Sequence, residues 1–219
     1  LNSLQWRYAT KKFDASKPLS PEQIDILKQC FNLTATSYGL QPLQLVVIKH
    51  KELQEKLLPH SFQQQQIVTA SHLLVICIEK NIDAEFINRY FELTKNIRNT
   101  PEEILKPFRE FLLKDFGAKP QQELEQWAIN QAYLALGNLL TVCAEEKIDA
   151  CPMEGFDAEK YDEILKLKEK NLKSVLILPV GYRAEDDIFA DFKKVRRPLK
   201  ETVIEIKEYL RNSGKLCID

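Results

Sequence analysis

The segment QQELEQWAINQAYLALGNLLTVCAEEK, residues 121–147, constrains the fold more than any other stretch of the chain. Leu124, Trp127 and Ala128 give its first half one apolar helical face. From Ala132 onward it is apolar almost all round, the pattern of a helix covered on every side. In a chain of 219 residues such a helix is either the middle of the core or part of a large subunit interface. The pattern alone leaves both open.

The remaining segments are shorter. LSPEQIDILKQCF carries Ser20 as N-cap, Pro21 at the first helical position and Gln23 to close a capping box. Helices are also expected over 2–8, 51–58 and 82–116, the last restarting at Thr100-Pro101. LQLVVI (43–48), LLVICI (73–78) and SVLILPVGY (174–182) read as buried strands, TVIEI (202–206) as a candidate fourth, and 149–157 as a loop. Helices and strands mix without regular alternation, and no linker or internal repeat divides the chain. The expectation is one α+β domain over 1–219, with a small mixed or antiparallel sheet packed by helices.

Composition then removes whole classes of function. The chain has 31 Lys and Arg against 32 Asp and Glu, so no overall basic field exists to hold a nucleic acid or an anionic membrane. No apolar run approaches the roughly 20 residues of a membrane span. The six glycines are never closer than 18 positions, which forbids a G-x-G-x-x-G turn or a P-loop. A phosphorylated cofactor must be held without a glycine-rich cradle. The five cysteines are odd in number, widely spaced and free of metal-ligand spacing, so no metal is expected. Cys77 and Cys143 sit in apolar runs as small hydrophobes, which suits a reducing, cytoplasmic setting. The chain begins at Leu1, a start compatible with trimming.

Three stretches concentrate polar residues beside turns, where sites commonly lie. Arg7-Tyr8-Ala9-Thr10-Lys11-Lys12 and Lys193-Lys194-Val195-Arg196-Arg197 together supply seven cations. They read either as two solvated patches or, if the fold joins them, as a holder for one phosphate. Pro152-Met153-Glu154-Gly155 reads either as an ordinary turn or as a loop whose glycine lets backbone N–H groups approach a ligand. His72, just before an apolar strand, reads as structural. No G-x-S-x-G is present, and the pairs Glu102/Glu103 and Asp186/Asp187 are explained by helix N-termini and solvent.

Taken in order, seven stretches resemble the nitroreductase family of FMN-dependent flavoproteins. They are RYATKKFD (7–14), TSYGLQP (36–42), ASHLLV (70–75), W-x5-YLALGNLL (127–140), PMEGFD (152–157), PVGY (179–182) and KVRRP (194–198). The likeness is greatest to the bacterial oxygen-insensitive NAD(P)H nitroreductase and dihydropteridine reductase group, and it spans about residues 2–206. It implies a homodimer with FMN bound in the subunit interface and the long helix as dimer core. By motif, Arg7, Lys194 and Arg196 would hold the phosphate, with Tyr8 and Ala9 beside them. Lys11 would reach the pyrimidine side of the flavin, where positive charge favours the reduced ring. Pro152, Met153, Glu154 and Gly155 would lie against the ring, with the Glu154 N–H directed at N5. Gln63 matches an Asn that bonds the pyrimidine edge in close relatives. Thr36, Ser37 and Gly39 would come from the partner subunit. Lys11, Tyr38, Gln66, Phe108 and Phe111 would face the nicotinamide or the acceptor, with Phe116 as further aromatic cover.

The chain departs from the family pattern at Ala9, commonly Ser, at Gln66, where close relatives carry Lys, and at Tyr38-Gly39-Leu40, which replaces a more polar stretch. Residues 207–219 match no motif. The resemblance implies ping-pong transfer of two electrons from NADH or NADPH to a small nitroaromatic, quinone or pteridine acceptor, with no side chain acting as acid or base. The altered positions leave a non-catalytic FMN-binding or regulatory dimer as the alternative, and dehalogenation or flavin fragmentation on the same fold as a third reading.

Overall fold

The strand at His72–Glu79 is apolar at nearly every position because both of its faces are covered. Leu74, Ile76 and Ile78 point into one core cluster, and Leu73, Val75 and Cys77 into another. Alternation along a strand sends neighbours to opposite faces, so a continuous apolar run is the signature of a central strand. The computed structural model describes residues 1–206, and the chain folds in three layers around this strand.

In chain order the elements are α1 (Asn2–Trp6), α2 (Pro21–Asn32), β1 (Leu43–Ile48), α3 (Lys51–Leu57), α4 (Gln66–Thr69) and β2 (His72–Glu79). They continue with α5 (Ala84–Arg98), α6 (Glu102–Gly117), α7 (Gln121–Glu145), β3 (Asp149–Ala150), α8 (Ala158–Ile164), β4 (Leu172–Gly181) and α9 (Leu199–Thr202). The sheet order is β1-β2-β4-β3, and every pairing is antiparallel. Of the two expected forms of small sheet, the antiparallel one forms. Helices α2, α5, α6 and α7 cover one face, while α3, α4 and α8 cover the other. Among the described residues, no helix is long and apolar enough to cross a membrane.

The local signals act as the sequence indicates. Ser20 and Gln23 form the expected capping box at α2, with Pro21 in its first turn. Asn99, in the left-handed region, and Pro101 separate α5 from α6. Cys30, Cys77, Cys143 and Cys151 are free and buried, and burial pushes the Cys77 and Cys143 thiols up to about 12. Cys217 lies outside the described residues.

Two expectations are corrected, and a third, left open between core and interface, is narrowed. The 149–157 stretch begins not as loop but as β3, whose two residues pair with β4 at Gly181 and Val180. Residues 202–206 add no strand: Thr202 closes α9, and Val203–Ile206 are exposed without ladder partners among the described residues. Helix α7 is not covered on every side within one chain. Leu124, Ala128, Ala132, Ala135, Leu136, Leu139 and Cys143 form its buried stripe. Tyr133 and Leu134 are exposed on the opposite side, beside Gly137, at which an added Cβ would meet open space. The all-round apolar pattern thus reports one core face and one uncovered face.

Candidate functional site

The two basic stretches, 187 positions apart in sequence, meet in space. Residues 7–13 leave α1 extended along the edge of the sheet: Ala9 bridges Ala150 in β3, Thr10 N–H donates to Ala150 O at 3.3 Å, and Phe13 bridges Arg183. Asp149 holds this edge from beneath. Its buried carboxylate accepts the backbone N–H and the Nε of Arg183, each at 2.8 Å, and the Arg183 guanidinium stacks on the rings of Trp6 and Tyr8.

Above this edge the 188–196 segment folds back, and the Lys194 ammonium donates to the carbonyl of Arg7. Arg7, Tyr8, Ala9, Lys11, Lys194 and Arg196, with Phe189 and Phe192, line a cavity of about 450 Å³. The three cations Arg7, Lys194 and Arg196 crowd one another. The Arg7 guanidinium is pushed below its ordinary value, first by burial and then by Arg196. The Lys194 ammonium is pushed down by burial, then by Arg7 and Arg196. Among the described residues no carboxylate stands in ion-pair contact with any of the three. A cluster of like charges left uncompensated in a concave site is arranged for an anion.

A second group gathers around Cys151, directly after β3. Lys11 Nζ and Gln66 Nε2 each approach its Sγ at 3.9 Å. Burial raises the Cys151 thiol's pKa, opposed by Lys11 and Gln66. Gln66, a buried side chain at the start of α4, also reaches Gln64 Oε1 at 3.4 Å. Gln64 Nε2 donates to Gly155 O at 2.9 Å and so holds the 152–155 loop from outside. Met153 anchors the same loop to β4 by exchanging backbone hydrogen bonds with Ile177 at 2.9 and 3.1 Å. Glu154, between these anchors, and Gly155 are exposed, and a Cβ at Gly155 would sit 3.4 Å from the Gln64 amide. Gln63 is exposed on a left-handed backbone (φ 59°) and bonds Leu58 O through its N–H.

The third group lies elsewhere. Ser37 N–H donates to the buried Gln131 of α7 at 2.8 Å, which docks residues 36–40 on the N-terminal half of that helix. Tyr38 sits edge-on to Phe116 at 5.9 Å and tilted to Phe108 at 6.4 Å. Phe108 stacks on Phe111, and both are exposed, whereas Phe116 belongs to the core. Gly39 has φ 72°, a backbone that strains any side chain, and a Cβ there would press on the Tyr90 hydroxyl at 2.9 Å. The Arg7 guanidinium is within electrostatic reach of Cys143, toward the other end of α7. Twelve residues of helix separate Gln131 from Cys143, about 18 Å along the axis. One chain therefore unites Arg7, Tyr8, Ala9 and Lys11 with Lys194 and Arg196, and Lys11 with Gln66 and the 152–155 loop. It leaves Thr36, Ser37, Tyr38, Gly39, Phe108 and Phe111 apart.

Sequence reasoning passed over two residues of this region. Asp187 does cap the turn that follows it, as its pair was read, but its buried carboxylate also accepts from Tyr8, Lys11 and Lys12. Gln64 sits in a run of four glutamines, and nothing local marks it as the one that reaches Gly155.

The sequence profile of the nitroreductase family matches residues 4–182. The oxygen-insensitive NAD(P)H nitroreductase of Salmonella typhimurium is 31% identical over 208 residues, covering 91% of this chain and 96% of its own. That of Enterobacter cloacae is 31% identical over 207 residues, covering 91% and 95%. Among solved structures, a nitroreductase-like protein of Streptococcus mutans superposes with a TM-score of 0.82 at 24% identity, covering 94% of this chain and 97% of the other. A candidate nitroreductase of Exiguobacterium sibiricum, solved in complex with FMN, gives 0.78 at 19% identity, covering 92% and 94%. The chain belongs to the nitroreductase family.

Proposed function

We propose that this chain is an FMN-dependent NAD(P)H oxidoreductase, acting as a homodimer and passing two electrons in ping-pong fashion to nitroaromatic, quinone or pteridine-type acceptors. The observation that carries the reading is the meeting of Arg7, Lys194 and Arg196 at one cavity, without a carboxylate partner among the described residues and with Arg7 and Lys194 both pushed below their ordinary values. That donor set fits a phosphate monoester and replaces the glycine-rich cradle that the composition forbids. The two named relatives carry NAD(P)H in their names, and a structure of the same fold was solved with FMN.

When bound, FMN supplies a two-electron carrier that accepts hydride from a reduced nicotinamide and yields it to an oxidised acceptor. The protein's part is orientation and electrostatics. Arg7, Lys194 and Arg196 hold the phosphate end, and Lys11 brings positive charge to the polar side of the ring. The loop Pro152–Gly155, pinned by Met153 and Gln64, presents backbone to the ring. Thr36, Ser37 and Gly39, remote from Arg7 within one chain, would be supplied by a second copy. The exposed Tyr133–Leu134–Gly137 face of α7 offers the surface for that copy. Tyr38, Phe108 and Phe111 would then border the acceptor.

The test is direct. Purified protein is expected to be yellow, to bleach with NAD(P)H under nitrogen, and to oxidise NAD(P)H with menadione as acceptor. Colourless protein that takes up no added FMN would sink the reading. The second reading, a flavin-binding dimer without turnover, draws on Gln66, whose buried amide brings no charge where close relatives carry Lys. A bound flavin that dithionite reduces and NAD(P)H does not would favour it.

A further inference from the structure

We propose that Asp187 is a positioning residue for the phosphate end of the flavin site: its buried carboxylate clasps the 8–12 and 188–196 segments together, keeping Arg7 beside Lys194 and Arg196. The inference rests on the FMN reading and deepens it.

The geometry is specific. Asp187 Oδ2 accepts the Tyr8 hydroxyl at 2.8 Å, Lys11 N–H at 2.9 Å and Lys12 N–H at 3.2 Å, while Oδ1 accepts Phe189 N–H at 3.2 Å. Four donors from two remote segments converge on one side chain that is only 5% exposed. A carboxylate so buried is tolerable only when hydrogen-bonded in this way. Burial alone would raise its pKa, and the Tyr8 hydroxyl and backbone N–H donors outweigh that and hold it below the usual carboxylate value.

The two segments depend on this clasp unequally. Residues 9–13 stay attached to the sheet by other means: the Ala9–Ala150 bridge, Thr10 N–H to Ala150 O, and Ala184 N–H to Lys12 O at 2.9 Å. Residues 188–196 contain no buried side chain, and Ile188, Phe192 and Val195 are well exposed. Apart from the Lys194–Arg7 contact, the described hydrogen bonds of this segment are internal or lead back to Asp187. The three cations repel one another, so an uncompensated cluster needs a mechanical tie of this kind until an anion arrives. Loss of the clasp therefore releases the phosphate cations and leaves Lys11 and the 152–155 loop in place.

The experiment compares FMN with riboflavin, which lacks the phosphate, by fluorescence titration of the flavin-free whole chain. The wild type is expected to bind FMN more tightly. Asp187→Asn keeps the shape but leaves an NH₂ facing one set of donors. It is expected to weaken FMN by about tenfold or more, the scale of a charge-assisted hydrogen bond, with riboflavin within about twofold of wild type. Tyr8→Phe removes one donor and is expected to cost about threefold for FMN alone. If Asp187→Asn does not fold, the Tyr8→Phe ratio decides. An unchanged FMN-to-riboflavin ratio overturns the inference while the flavin reading stands. Equal losses for both ligands reduce Asp187 to a structural role and also overturn it. A wild type that binds neither flavin overturns the functional reading and this inference with it.

Discussion

Single residues in this chain are legible when their partners are close in sequence and opaque when they are not. The Ser20–Gln23 cap could be read directly because both partners lie within one turn. His72 was expected to be structural, and it is buried with Nδ1 at 2.9 Å from Ser71 Oγ. Ser71 Oγ also accepts the N–H of Leu19 at 2.8 Å, so this hydroxyl joins the ring to the chain just before α2. Burial, with Lys49, Lys51 and Lys28 nearby, pushes His72 down to about 4. Between the ordinary value near 6.5 and about 4 the unfolded chain therefore binds a proton that the folded chain refuses. This contribution to stability is fully present above pH 6.5 and is lost as the pH falls toward 4. Unfolding free energies from urea titrations between pH 7.5 and 4.5 should fall in the wild type, with a slope approaching about 1.4 kcal/mol per pH unit from this group. His72→Gln should remove that component and leave the decline from carboxylates. Asp187 is the opposite case. As a neighbour of Asp186 it reads as one of two helix-start acids, because its other partners are about 175 positions away.

At the scale of elements, periodicity marked the apolar faces but not what covers them. The continuous apolar run of β2 has its cause within the chain, since helices cover both sheet faces. The run in α7 looks similar in sequence and has a different cause. One face packs on the sheet, and the other leaves Leu134 55% exposed on the same side as Tyr133. A residue pattern cannot distinguish the two because a partner's side chain and an intramolecular one exclude water alike. In the proposed dimer, Leu134→Glu would bury an unpaired charge in an apolar contact, a cost of several kcal/mol. Light scattering after gel filtration is expected to show monomer for this variant, with flavin retention lost because Thr36–Gly39 no longer reach the site. A Leu134→Glu protein that stays dimeric would show that another face makes the contact. The short strand β3 was missed for a related reason. Two residues carry no measurable alternation, and Asp149–Ala150 become a strand only because Gly181 and Val180 of β4 lie beside them.

For the whole molecule the proposed assembly makes flavin binding depend on protein concentration. If each site draws residues from two chains, dilution should release flavin and dissociate the dimer together, with coincident midpoints by flavin fluorescence and by sedimentation. Flavin retained on a monomer would show that one chain suffices. Taken alone, the sequence determined the α+β class, the limits of most helices and strands, the exclusion of glycine-rich phosphate cradles, and the family, through seven short motifs in order. Those properties reside in local spacing and composition, which need no partner at long range. Only the tertiary structure decided that the basic stretches at the two ends of the described chain form one cavity, and that Asp187 ties them. It also decided that Gln64 holds the 152–155 loop, and that one face of α7 is left uncovered. Each of these is a pairing across more than 80 positions or a property of exposed surface. Charge and hydrophobicity written along a chain name the groups that require partners, and the folded geometry alone selects which partners they meet.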